Sequence, residues 1–320
     1  MMQTKLHKFF EVKIQHNQNN KKCFIYDPEN YKAFFESVPG PYDAYLTTKT
    51  GVKLYYRRPS YNKPILLPKI ECKANVPLLK SNLQKAVRRC QTDIAIKSAL
   101  AIIQREPIEL LRRLPVIYIE DVCLMDSYSI VVWLMMAEKE HSLDINDIDI
   151  LLHIVKSLCD IRMYYDDSND YTKDFELTHK NLQDLENRDA ILAVYYRSQY
   201  GGMKGDMLML RNSVYYYSER PSEIEKTLYE CINYAELGGI LEIIPEAIDF
   251  HPFPQMLQTL VKQTNLDNND IKQFIWFVES GVNIRKPSTL EKSKEYSKKE
   301  CWKIIKSKLG RVRYNLLQQI

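Results

Sequence analysis

The chain has 320 residues, 45% hydrophobic and 27% charged, with only 9 glycines, which excludes a disordered chain and a glycine-rich all-β protein. Its 7 cysteines, scattered from Cys23 to Cys301 without a close pair, exclude a Cys-x-x-Cys zinc pattern and a tight disulfide framework. The formal charge of +4 is mild but uneven, since 285–313 carry eleven Lys or Arg against three Glu, a candidate anion-binding tail on a near-neutral body.

In chain order, residues 1–78 form a small α+β or irregular N-terminal region. Apolar alternation at 10–14 and 52–56 predicts strands, punctuated by turn signals at Asp27-Pro28, 39–41 and Thr50-Gly51. The proline-bearing stretches 62–64 and 67–69 suit a linker. From Leu78 the apolar period becomes helical. Leu79, Leu83, Ala86, Val87 and Cys90 share one face of a first helix, capped by Ser81 or a nearby polar residue. A second helix follows from Thr92 and Asp93. Glu106-Pro107 opens a third, because proline suits a first turn, and Pro115 is expected to kink or restart it. A fourth, 127–140, is apolar on most sides and should be buried; a fifth covers 145–163. After an exposed polar loop at 164–179, helices are expected over 182–199, 207–217, 224–235, 271–279 and 298–317. The boundaries expected are 1–78, a helical domain over 79–220, and a C-terminal helical region with a basic tail over 221–320. No repeat emerges.

The most apolar stretch, 130–137, is far below the roughly 18 residues that mark a membrane span. The N-terminus carries Lys5, Lys8 and Lys13 but no apolar signal core. These features predict a soluble protein of a reducing cytoplasmic or nuclear compartment, with no membrane partner.

Catalytic and metal signatures are scarce. Asp166, Ser168, Asp170, Thr172 and Asp174 imitate part of a calcium loop, but Tyr171 and Leu177 stand where the loop needs glycine and glutamate, so an exposed acidic loop is expected. His141, His153, His179 and His251 lack ligand spacing and read as surface or packing residues. No Gly-x-Ser-x-Gly elbow occurs. No metal, no cofactor and no enzyme activity are expected. Gly202-Met203-Lys204-Gly205 has two readings: a glycine turn between helices, or a phosphate-binding turn with Lys204 near the backbone of a nucleic acid.

One segment has a family cadence. Leu83 through Arg88-Arg89 gives a helix with a basic end, then come an Ala- and Ile-rich helix at 93–103, Leu111-Arg112-Arg113-Leu114, and Glu120-Asp121-Val122. Over about fifty residues, 82–137, this resembles the C-terminal helical domain of the replication-associated recombination ATPases, the bacterial RarA/MgsA family and its eukaryotic Werner-interacting relatives. Cys123 stands where that family carries a glycine. The resemblance implies a mostly α, clamp-loader-collar-like domain that self-associates into a homo-oligomer and works with DNA and with replication or repair proteins. The Gly-x-x-x-x-Gly-Lys-Ser/Thr loop with which those ATPases hold phosphates does not occur in this chain.

The charges of this segment admit two roles. Arg113 and Glu120, with Asp121 beside them, suit a structural ion pair between packed helices. Arg88, Arg89 and Arg112 suit direct contact with nucleic acid or a partner. In the last helix, Trp302, Ile305, Leu309 and Val312 share a face at helical spacing. Lys299, Lys303, Lys306, Arg311 and Arg313 lie around that face, where clustered cations release counterions from phosphate. The expectation is a non-catalytic DNA replication or repair accessory protein. The alternative is a scaffold, for instance viral, that uses the same helices for protein–protein assembly alone.

Overall fold

The computed structural model describes residues 23–36, 40–48, 51–60, 64–165, 188–250 and 252–319. The expected strand at 10–14, the calcium-like loop from Asp166, and His179 and His251 lie outside them.

Four short strands open the fold: β1 (Cys23–Asp27), β2 (Lys32–Glu36), β3 (Asp43–Thr47) and β4 (Lys53–Tyr56). Their order is β2-β1-β4-β3, with β1 and β4 parallel and both outer pairs antiparallel. Central β1 is buried at every residue, as a strand flanked on both edges and covered by helices must be.

From Asn75 the chain is helical. Asn75 accepts the Leu78 N–H at 3.0 Å and so caps α1 (Val76–Arg88); Ser81, the expected cap, lies one turn inside. Next come α2 (Thr92–Ile103) and α3 (Pro107–Asp121). Pro115 is accommodated within α3 without a break in the helix. The next helix, α4 (Tyr128–Ala137), is buried on every side, as its apolar composition predicts. A reciprocal capping box of Asp144 and Asp147 starts α5 (Ile145–Asp160).

Two anchors fix the sheet on these helices. Trp133 of α4 donates its indole N–H to the Phe24 carbonyl at 3.0 Å, and Tyr26 donates its hydroxyl to Asp147 at 2.8 Å. His141 packs against Tyr56 and Trp133 and bonds Asp147 at 2.7 Å, a packing role. The β2 edge is closed by α6 (Arg188–Ser198): Phe35 N–H donates to Asp189 at 3.0 Å, and Arg188 donates to the Phe35 carbonyl at 3.3 Å. Covering an edge in this way removes a template for strand addition.

Gly201 and Gly202, at φ +83° and +150°, turn the chain into α7 (Lys204–Glu219). The φ of Gly202 is one that side-chain-bearing residues rarely adopt, so a substitution there is strained. This is a turn between two helices. Beyond it the sequence reading needs a correction, because 224–235 is not a helix. Its backbone instead meets the α3–α4 connection, with Glu225 N–H on the Leu124 carbonyl and Asp126 N–H on the Glu225 carbonyl, each at 3.0 Å. Thr227 then bonds Asp126, and the Leu228 N–H bonds Ser157. Partners distant in sequence outweigh local helix propensity here. Directly after the expected linker, β5 (Ile70–Glu71) pairs with β6 (Gly239–Ile240), and the last linker residue joins in, its Lys69 carbonyl accepting the Gly239 N–H at 3.4 Å.

The C-terminal region contains α8 (Gln255–Thr264), α9 (Asn268–Ile275) with a π turn at Trp276–Ser280, α10 (Pro287–Tyr296) and α11 (Glu300–Leu317). Periodicity missed α8, whose buried Met256, Leu257 and Leu260 span little more than one turn, and α10, which buries no residue and so has no apolar stripe. One continuous core runs from Phe24 through Trp133 to Leu316, spanning all three expected regions. Among the described residues, no helix is long and apolar enough to cross a membrane.

Candidate nucleic-acid interface

The amphipathic pattern of α11 determines how it sits. Trp302, Ile305, Leu309, Val312 and Leu316 are buried, and the helix packs along α8. Lys299, Lys303 and Lys306, at spacings of four and three residues, are therefore exposed along one flank, while Lys308 and Arg311 are exposed along the other. Glu295 pairs with Lys299 at 2.9 Å and Glu300 with Lys303 at 2.8 Å. Such solvated pairs are worth only about 1 kcal/mol or less and leave the field positive. No Asp or Glu occurs after Glu300, and Lys306, Lys308 and Arg311 make no ion pair among the described residues.

Arg313 behaves oppositely. It is 6% exposed, and its guanidinium clasps Asp249 through two bonds, at 2.9 and 2.6 Å, while a third bond reaches Glu279 at 2.5 Å. Ser280 donates its hydroxyl to the same Asp249 carboxylate. Burial pushes the Asp249 carboxyl up, and it also works against the Arg313 charge. The charges of Asp249 and Glu279 and their hydrogen bonds outweigh burial and keep the Arg313 pKa above its usual range, while Arg313 and the Ser280 hydroxyl oppose the rise at Asp249. This clasp locks α11 onto the turns after α9. It is not a surface contact, so Arg313 is removed from the nucleic-acid set.

The same holds for Arg88, 4% exposed at the end of α1. It pairs with Asp121 and with Glu120 (2.7 Å), donates to the Ser280 carbonyl at 3.1 Å, and lies 5.3 Å from the Trp276 ring. Gln84 donates to both carboxylates, at 2.8 and 2.7 Å. The expected Arg113–Glu120 pair is replaced by this arrangement: Arg113 reaches Gln84, at 3.4 Å, and Arg88 takes the acids. A structural ion pair does join the helices, with a different arginine.

Arg89 is half-buried, bonded to the Glu279 carbonyl at 3.0 Å and paired with Glu246 at 3.3 Å. Arg112, half-exposed on α3, pairs with Glu138 at 3.5 Å and with Glu109 at 3.8 Å. Lys204 is exposed at the start of α7. Neither Arg112 nor Lys204 belongs to the α11 face. Cys123 sits at the α3–α4 connection without a positive φ, so a cysteine there costs no backbone strain.

Sequence reasoning missed four participants. Arg285, counted in the basic tail, is buried and donates to the carbonyls of Val87, Leu158, Cys159 and Ile161 at 2.6 to 3.1 Å, satisfying the ends of α1 and α5. Asn283 bonds the Asp121 carbonyl at 2.7 Å. Asp249 had only one weak signal, a carboxylate between the apolar residues Ile248 and Phe250. Lys85, 7% exposed, donates to Ser81 at 3.2 Å; burial, and then Arg88 beside it, pushes its ammonium down to about 8. The described residues contain no group of three or more His, Cys, Asp or Glu that could hold a metal.

Compared with protein families, with curated proteins and with solved structures, the chain matches none.

Proposed function

We propose that this chain is a non-catalytic, nucleic-acid-binding accessory protein that docks on a phosphate backbone through the outer face of α11. The observation that carries this reading is the exposed Lys299–Lys303–Lys306 flank, with Arg311 opposite, on a helix clasped to the body by Arg313. Fixed cations on a rigid helix lose little freedom on meeting phosphates and release their counterions. The cadence of residues 82–137 supports a place in DNA replication or repair, with self-association through the helical domain; this support is an analogy of sequence.

The test is DNA binding by the full chain across salt concentrations. Changing Lys299, Lys303, Lys306 and Arg311 together to Gln should lower the slope of log K against log salt by about 3 to 4, near 0.9 per phosphate contact. No binding at low salt, or an unchanged slope, overturns the proposal. Light scattering tests the self-association, and a strict monomer overturns that part. The scaffold alternative draws on Leu66 and Ile240, which are 90% and 77% exposed. Loss of assembly in Ile240→Lys, with no DNA binding by the parent chain, would favour it.

A further inference from the structure

Between α8 and α11 lies a cleft of about 420 Å³. Its walls are Thr259 and Gln263 from α8 and Ser307, Lys308, Arg311 and Asn315 from α11, over an apolar floor of Val312 and Leu316. The volume falls at the small end of ligand pockets, about 300 to 1,000 Å³. No carboxylate lines it.

The polar groups divide by chemistry. Lys308 and Arg311 bring two positive charges, and the Gln263 and Asn315 amides can donate; together these suit an anion with several acceptor oxygens. The two hydroxyls are already engaged as donors, Thr259 to the Gln255 carbonyl at 2.9 Å and Ser307 to the Ile304 carbonyl at 2.8 Å. Back-bonded in this way, their oxygens are left to accept. The cleft therefore offers cationic donors to an anion and neutral acceptors to hydroxyl groups.

We propose that the α8–α11 cleft is a binding site for a sugar phosphate, with the phosphate on Lys308 and Arg311 and a sugar hydroxyl on Thr259 or Ser307. Two sources share that chemistry: a free sugar phosphate or nucleotide, and the terminal nucleotide of a strand. Only the second rests on the nucleic-acid reading above. The first holds without it.

Calorimetric titration of the full chain with ribose 5-phosphate, with ribose as control, tests the site. Oligonucleotides with and without a 5′-phosphate, followed by fluorescence anisotropy, separate the two sources. Ribose 5-phosphate should saturate the protein and ribose should not. Arg311→Gln should weaken that binding tenfold or more, Asn315→Ala should weaken it less, and Lys292→Gln, exposed on α10 outside the cleft, should leave it unchanged. A strand-end ligand adds a preference for the 5′-phosphorylated oligonucleotide. If ribose 5-phosphate binds and no oligonucleotide does, the cleft stands, its ligand is free, and the α11 docking proposal alone fails. If ribose 5-phosphate fails to saturate at millimolar concentration and no preference for the 5′-phosphate appears, the cleft proposal is overturned, whatever the affinity for DNA. Equal binding by Arg311→Gln and the parent chain overturns it as well.

Discussion

Arg311 and Arg313 stand two residues apart on one helix, and their environments are opposite. Arg311 faces solvent at the cleft; Arg313 is sealed under α11 on Asp249 and Glu279. A step of two residues turns a helix through about 200°, so the same side chain becomes a surface charge in one case and an internal clasp in the other. The same division separates Lys303 from Lys85: the first is solvated, and the second is held among Arg88, Asp121 and Asp249. Residue type and local density of charge therefore say little about what a cation does. Which side of the helix it occupies decides.

Breaking the inner clasp should have the largest effect. Arg313→Ala leaves the Asp249 carboxylate buried without its counter-ion and should cost about 3 to 5 kcal/mol in urea denaturation. A loss below about 1 kcal/mol would mean that the clasp does not hold α11 down.

Lys85 sharpens the inner half of the comparison through pH. With its folded pKa lowered to about 8 from the ordinary 10.5, Lys85 is charged in both folded and unfolded chains below pH 8, and there its burial penalty is present in full. Between pH 8 and 10.5 the unfolded chain holds the proton and the folded chain releases it, so this residue makes stability rise with pH. The shift corresponds to about 3 kcal/mol. Lys85→Met should stabilise the protein at pH 7, and its advantage over the parent should shrink by pH 10. A constant difference between parallel denaturation curves at the two pH values would contradict this.

The outer face should answer differently. Gly310 is exposed in mid-helix, and a Cβ there would meet nothing within 4 Å. Gly310→Ala should therefore raise stability by roughly 0.5 to 1 kcal/mol, read as an increase in Tm; a decrease would reveal packing on that side. Smallest of all, Lys303→Gln with Lys306→Gln should move stability by less than about 0.5 kcal/mol while weakening DNA binding. A large stability loss from that pair would place these lysines in the framework.

Much of this molecule was legible in its sequence, for local reasons. The helical period from Leu78, the buried α4, proline at the start of α3, the glycine turn before α7 and the apolar stripe of α11 are all set by short-range sterics and by the spacing of apolar residues. Strand β4 was legible by alternation. A structural ion pair of Glu120 and Asp121 was visible as charge in a helical context, but with Arg113 as the cation, while Arg88 read as a nucleic-acid contact. Its pairing was not legible, because the choice between Arg88 and Arg113 depends on which side of α1 and α3 meet.

The sequence by itself determined that this chain is mainly helical after a short strand region, that α11 is amphipathic and that its C-terminal end is cationic. Those properties follow from period, propensity and composition, which act over a few residues. Only the tertiary structure decided that 224–235 is not helical and that Glu225 and Thr227 bond the α3–α4 connection, that Arg88, Arg285 and Arg313 are internal, and that Lys308 and Arg311 flank a cleft with α8. Each of these depends on a partner distant along the chain, here a carboxylate, a row of helix-end carbonyls or a neighbouring helix. Burying a charge is tolerable only where such a partner is met.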